Sequence, residues 1–99
     1  MTQAQPETIR DNLVDDIEEA IRCNDQKTFD RTLSGLYDLY EKHNDLRAFT
    51  KWAQYLFVVD KNASLEAFAN MANNLELNNE NPDSVDFYVH YVVMLQEQH

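Results

Sequence analysis

The stretch N81-PDSVDFYVHYVVMLQEQ-98 decides the fold, because it supports two incompatible secondary structures. Val85, Phe87, Val89, Tyr91, Val93 and Leu95 alternate as the buried side of a strand would, and the segment is rich in β-branched and aromatic residues. Its opening says otherwise. Asn81 is a helix cap, Pro82 suits a first helical turn, Asp83 favours the positive end of a helix dipole, and Gln96-Glu97-Gln98 extends the run with helix formers. A lone strand also needs a partner, and the rest of the chain offers none. The helix reading over 82–98 is therefore favoured, and with it an all-α fold.

Working outward, Asn73 to Pro82 reads NNLELNNENP, a polar, turn-prone connection. Before it, Leu65, Phe68, Ala72 and Leu75 recur at helical spacing behind the candidate caps Asp60, Asn62 and Ser64. Leu46, Phe49, Ala53 and Leu56 mark a third helix, which Trp52, Tyr55, Phe57, Val58 and Val59 make apolar almost all round. Phe29, Leu33, Leu36 and Tyr40 mark a second, capped by Asn24 or Asp25 and ending near His43-Asn44. Gly35 inside it costs about 1 kcal/mol relative to Ala and points to a close helix crossing. The first helix covers about 6–22, with Ile9, Leu13, Ile17, Ala20 and Ile21 as its inward stripe. The expectation is a single-domain acidic bundle of four to five helices, with residues 1–5 flexible. Leu33-Ser34-Gly35 and Tyr37 have a tetratricopeptide flavour that does not recur 34 residues later.

Composition agrees. The 99 residues hold one Gly, two Pro and one Cys, too few turn formers for a sandwich or barrel and no basis for a disulfide framework. Eleven aromatics and 43% apolar residues separate the chain from disordered acidic sequences. Residues 1–8 carry no Lys or Arg and lead into no apolar core, and the longest apolar runs, Tyr55 to Val59 and Tyr91 to Leu95, are five residues each. A cytoplasmic protein is expected, with Cys23 reduced.

Chemistry-bearing motifs are sparse. Asp60-Lys61-Asn62-Ala63-Ser64 begins like a calcium loop, but the required Gly is Leu65 and the required Glu is Met71, which leaves a helix cap. His43, His90 and His99 form no metal-ligand spacing, and Cys23 beside Arg22 lacks a histidine partner. One glycine cannot build a phosphate-cradling loop. No catalytic residue, metal or cofactor is expected, and the protein is read as a non-enzyme.

The charge distribution is more informative. Residues 1–22 hold six acids against Arg10 and Arg22; residues 23–61 hold six acids and six bases; residues 62–99 hold Glu66, Glu76, Glu80, Asp83, Asp86 and Glu97 with no Lys or Arg. The net charge of −10 therefore resides at the two ends. It argues against direct binding to nucleic acid or to an anionic membrane. Glu7, Asp11, Asp15 and Glu19 follow one another four residues apart, with Asp16 and Glu18 beside them, and each like-charged pair destabilises a helix by a few tenths of a kcal/mol. A solvated face serving solubility is the simplest account. The sharper one is phosphate imitation by Glu7, Asp11, Asp15, Asp16, Glu18 and Glu19 together with Glu76, Glu80, Asp83 and Asp86. Carboxylates about 6 Å apart along one helix do not match a strand with a phosphate every ~3.4 Å, so a second acidic surface is required.

In length and composition the chain resembles the small acidic helical proteins that phages use as DNA mimics against restriction or CRISPR nucleases. The resemblance rests on charge and size, not on a motif, and implies an inhibitor whose target is a basic nucleic-acid site on a host protein. The alternative is a helical adapter or assembly protein, a homodimer working through apolar surface. Nine of the eleven residues from Val85 to Leu95 are apolar or aromatic, more than a small bundle readily buries. On that reading Tyr88, Tyr91 and Met94 mediate self-association.

Overall fold

The computed structural model describes residues 6–75 and 82–98. They form five α-helices: α1 (Pro6–Cys23), α2 (Gln26–His43), α3 (Leu46–Val59), α4 (Lys61–Asn74) and α5 (Pro82–Gln98). The all-α fold is thus observed, and the segment with strand-like alternation is a helix. Residues 1–5, expected to be flexible, and Asn81, the expected cap of α5, lie outside the described residues. No helix among the described residues is long and apolar enough to cross a membrane. The chain divides into two compact units, Met1–Phe49 and Thr50–His99, the division falling within α3.

In the first unit α1 and α2 form a helical hairpin whose turn is written in two residues. Asn24 adopts φ 56°, the left-handed region that asparagine tolerates better than most residues. The amides of Asn24 and Asp25 then donate to the carbonyls of Ile21 (3.3 Å) and Ala20 (2.8 Å), which satisfies the end of α1 in a Schellman arrangement. Asp25 at once caps α2: its carboxylate accepts from the Thr28 amide (3.2 Å) and hydroxyl (2.7 Å). These bonds, the hydroxyl's above all, hold the Asp25 carboxyl below its usual pKa, because they favour the charged form.

Gly35 meets α1 at Leu13. A Cβ built on it would lie 3.1 Å from Leu13 Cδ2, so the missing side chain permits the close crossing that the sequence suggests. Ile17, Ala20, Phe29, Leu36 and Leu39 are buried. Ile21, expected on the inward stripe, is instead 43% exposed. It lies about 40° round the helix from Ile17, in the last turn, at the edge of the apolar face.

At the far end of α2, Asn44 also takes a left-handed conformation (φ 52°) and delivers Asp45 to the start of α3. Asp45 does two jobs. Its Oδ1 accepts from the amides of Arg47 (3.1 Å) and Ala48 (3.3 Å), and both carboxylate oxygens accept from Arg10 Nη1 at 3.1 and 2.9 Å. With side chains only 14% and 10% exposed, Arg10 and Asp45 form an ion pair that is shielded from water and joins α1 to the N-terminus of α3. Tyr40 packs edge-on against Phe49 at 5.0 Å, and Tyr37 lies 5.9 Å from Tyr40.

The second unit is built around Phe68 of α4 and Phe87 of α5, both fully buried, with ring centroids 5.3 Å apart. Tyr91 stacks parallel on Phe68 at 5.5 Å, and Tyr88 packs edge-on against Phe87 at 5.4 Å. Asp60 caps α4 by accepting from the Ala63 amide at 3.0 Å, which is the reading left once the calcium loop fails. Ser64, fully buried, donates its hydroxyl to the Ala53 carbonyl of α3 and so satisfies a polar group that burial would otherwise penalise.

Candidate functional site

Two exposed faces stand out, one in each unit, and they are opposite in chemistry. On α1 the buried residues Ile17 and Ala20 define the inward side, while Asp11, Asp15, Asp16, Glu18 and Glu19 are all exposed. At about 100° per residue, Asp11, Asp15, Glu18 and Glu19 share an arc of roughly 100°. Arg22 lies within that arc and is bound by Glu19, which also accepts a 3.6 Å contact from the Cys23 thiol. Arg10, the other base on α1, is held by Asp45. Among the described residues, Asp11, Asp15 and Asp16 form no ion pair, so the face is acidic in local charge as well as in count. Glu7 lies in α1 one turn before Asp11.

The acids expected to extend this surface from the C-terminal segment fare differently. Glu76 and Glu80 lie outside the described residues. Asp83, in the first turn of α5, is half-buried. Asp86 sits 3.5 Å from His90 Nδ1, whose ring nitrogen also lies 2.8 Å from the Asp86 carbonyl oxygen. His90 is thus tied to the preceding turn of its own helix.

No family model, curated protein or solved structure matches this chain. Among the described residues, no cluster of three or more His, Cys, Asp or Glu is placed to hold a metal ion.

On α5 the residues assigned to self-association are half-buried, and the two tyrosines contact α4. Tyr91 is stacked on Phe68, the Tyr88 hydroxyl points toward the carbonyls of Ala72 and Leu75 at 3.5 Å each, and Met94 is half-buried. The residues that reach solvent are Val85 (49% exposed), Val89 (54%) and Val92 (52%), with Val93 and Leu95 less so. This row shares no member with Tyr88, Tyr91 and Met94, the residues expected to mediate self-association. The signal was nonetheless present: Val85, Val89 and Val92 are spaced i, i+4, i+7, one face of a helix. At the C-terminal end of α3, Val58 and Val59 are also exposed, while Phe57 beside them is half-buried with the Lys61 ammonium 5.6 Å over its ring.

Proposed function

We propose that this protein is a non-enzymatic inhibitor or regulator that binds a basic surface on another protein, in the manner of a DNA mimic directed at a nucleic-acid-binding host protein or nuclease. The observation that carries this reading is the solvent side of α1, where, among the described residues, five exposed carboxylates stand against one exposed base that Glu19 already engages. Such a face accelerates encounter with a positively charged site and makes the complex sensitive to salt. The like-charge repulsion along α1 supports the same reading, since stability alone would favour interspersed lysines.

The experiment is inhibition of, and binding to, a purified nucleic-acid enzyme recovered by the protein from lysate. DNA competing for the same site, and loss of the complex as salt rises toward about 1 M, support mimicry. Inhibition that survives simultaneous Asp11→Lys, Asp15→Lys and Glu19→Lys substitution overturns it.

The valine row of α5 favours a second reading, a cytoplasmic adapter or assembly module that acts through apolar surface, as a homodimer or with another protein. Under that reading the acids serve solubility, and capture of partners is insensitive to salt.

A further inference from the structure

We propose that the outward face of α5 is a docking strip for an amphipathic helix of another protein, one whose apolar stripe is flanked by Lys or Arg. The inference rests on the reading that this protein works by binding, and it assigns a site separate from α1. Val85, Val89, Val92 and Gln96 fall within an arc of about 60°, three helical turns long, and the three valines are each about half exposed. Such a row is what a partner helix reads through its own i, i+3, i+4, i+7 anchors. Asp86 and Glu97 lie along one edge, beyond Val93, and Tyr88 and Leu95 along the other. The strip is thus apolar with one acidic margin.

Charge complementarity selects the occupant. Residues 62–99 contain six acids and no Lys or Arg, so a second copy of α5 brings no base to either margin. An antiparallel copy sets the Asp86 and Glu97 edge against itself, and a parallel copy sets those carboxylates against Tyr88 and Leu95. Size argues the same way: a strip roughly 16 Å long and one helix wide is far below the about 800 Å² per partner typical of a stable dimer. A helix with leucines on its stripe and lysines on one flank satisfies both the valines and the acidic margin, in the weak, exchangeable class of contact.

The test uses a fluorescent synthetic helix of about 18 residues, with Leu at the stripe positions and Lys on one flank, titrated against the full chain and followed by anisotropy. Saturable binding in the micromolar range is expected, and Val89→Asp with Val92→Asp should weaken it by about tenfold or more. The milder pair Val89→Ser and Val92→Ser should weaken it severalfold, with an unchanged melting curve. Asp86→Lys should weaken it severalfold as well. Equal affinity for a scrambled peptide of the same composition, or indifference to the valine substitutions, overturns the proposal, as does a chain dimer in sedimentation that those substitutions dissolve. The triple reversal at Asp11, Asp15 and Glu19 separates the two sites. Peptide binding preserved within about threefold assigns it to α5 whatever becomes of enzyme inhibition, whereas binding abolished by the reversal but not by the valine changes returns the surface to α1 alone.

Discussion

Helices α1 and α5 are nearly equal in length, yet they divide their side chains in opposite ways. In α1 the division is by polarity, with Ile17 and Ala20 buried and Asp11, Asp15, Asp16, Glu18 and Glu19 in water. In α5 both sides are apolar. Phe87 is fully buried on one side, while Val85, Val89 and Val92 stand about half exposed on the other. The difference teaches that apolar content alone does not assign burial, and that the two outward faces act over different ranges. The acids of α1 act through a field that salt screens over about 8 Å at physiological strength; the valines of α5 act only on contact, by release of water.

The largest expected effect probes the inward side of α5. Phe68→Ala removes the ring on which Phe87 and Tyr91 pack and should destabilise the protein by about 3–5 kcal/mol in urea denaturation. Val89→Ala, on the outward side, should change stability by no more than about 0.5 kcal/mol. Equal losses at the two positions would erase the distinction between the faces.

Next comes Asp45→Ala, which removes the cap of α3 and leaves Arg10 without its carboxylate. A loss of about 2–4 kcal/mol is expected from a cap worth about 1 kcal/mol and a shielded charge left unpaired. Arg10→Met should cost less, because Asp45 keeps its amide partners; a double-mutant cycle measures the remainder. At the crossing of α1 and α2, Gly35→Leu should cost about 1–3 kcal/mol by overpacking against Leu13. Gly35→Ala should stay within about 1 kcal/mol of neutral, since the gain in helix propensity offsets the small shift asked of a flexible Leu13 side chain.

Smaller still, Asp15→Lys should raise thermal stability by a few tenths of a kcal/mol, because it turns two like-charged i,i+4 pairs into attractive ones. A loss would mean that Asp15 has a structural partner. The weakest effect is on the acid side. The depressed pKa of Asp25 means that its contribution is present above the ordinary aspartate value near 4 and is lost as pH falls through the lower folded value. Asp25→Asn keeps a capping side chain and should flatten that part of the melting-temperature profile; an unchanged slope would show that Asp25 is not its source.

Much of the local architecture was legible in the chain. Asn24 followed by Asp25 carries both an acceptable left-handed stop for α1 and a cap for α2, and Asp60 carries the cap of α4, because turn and cap chemistry depend on residues within a few positions of each other. Pro82 and Asp83 correctly outweighed the alternation that follows them, since a helix start is specified locally whereas a strand needs a partner elsewhere. Gly35 as a crossing point was legible for a similar reason: a helix keeps a glycine against its propensity where a side chain would obstruct a neighbour. The acidic face of α1 followed from four-residue spacing alone.

What sequence could not decide was which side of a helix with apolar residues on both sides turns inward. Tyr88 and Tyr91 are as plausible on a surface as Val89 and Val92 until Phe68 supplies the ring that Tyr91 stacks on and the end of α4 supplies carbonyls near the Tyr88 hydroxyl. The Arg10–Asp45 pair was equally hidden, because its partners are 35 residues apart and meet only after α2 has folded back. Local rules determined the helices, their caps and the charge of α1. Tertiary packing decided which valines of α5 are left in water, because burial is a property of what lies opposite a side chain and not of the side chain itself.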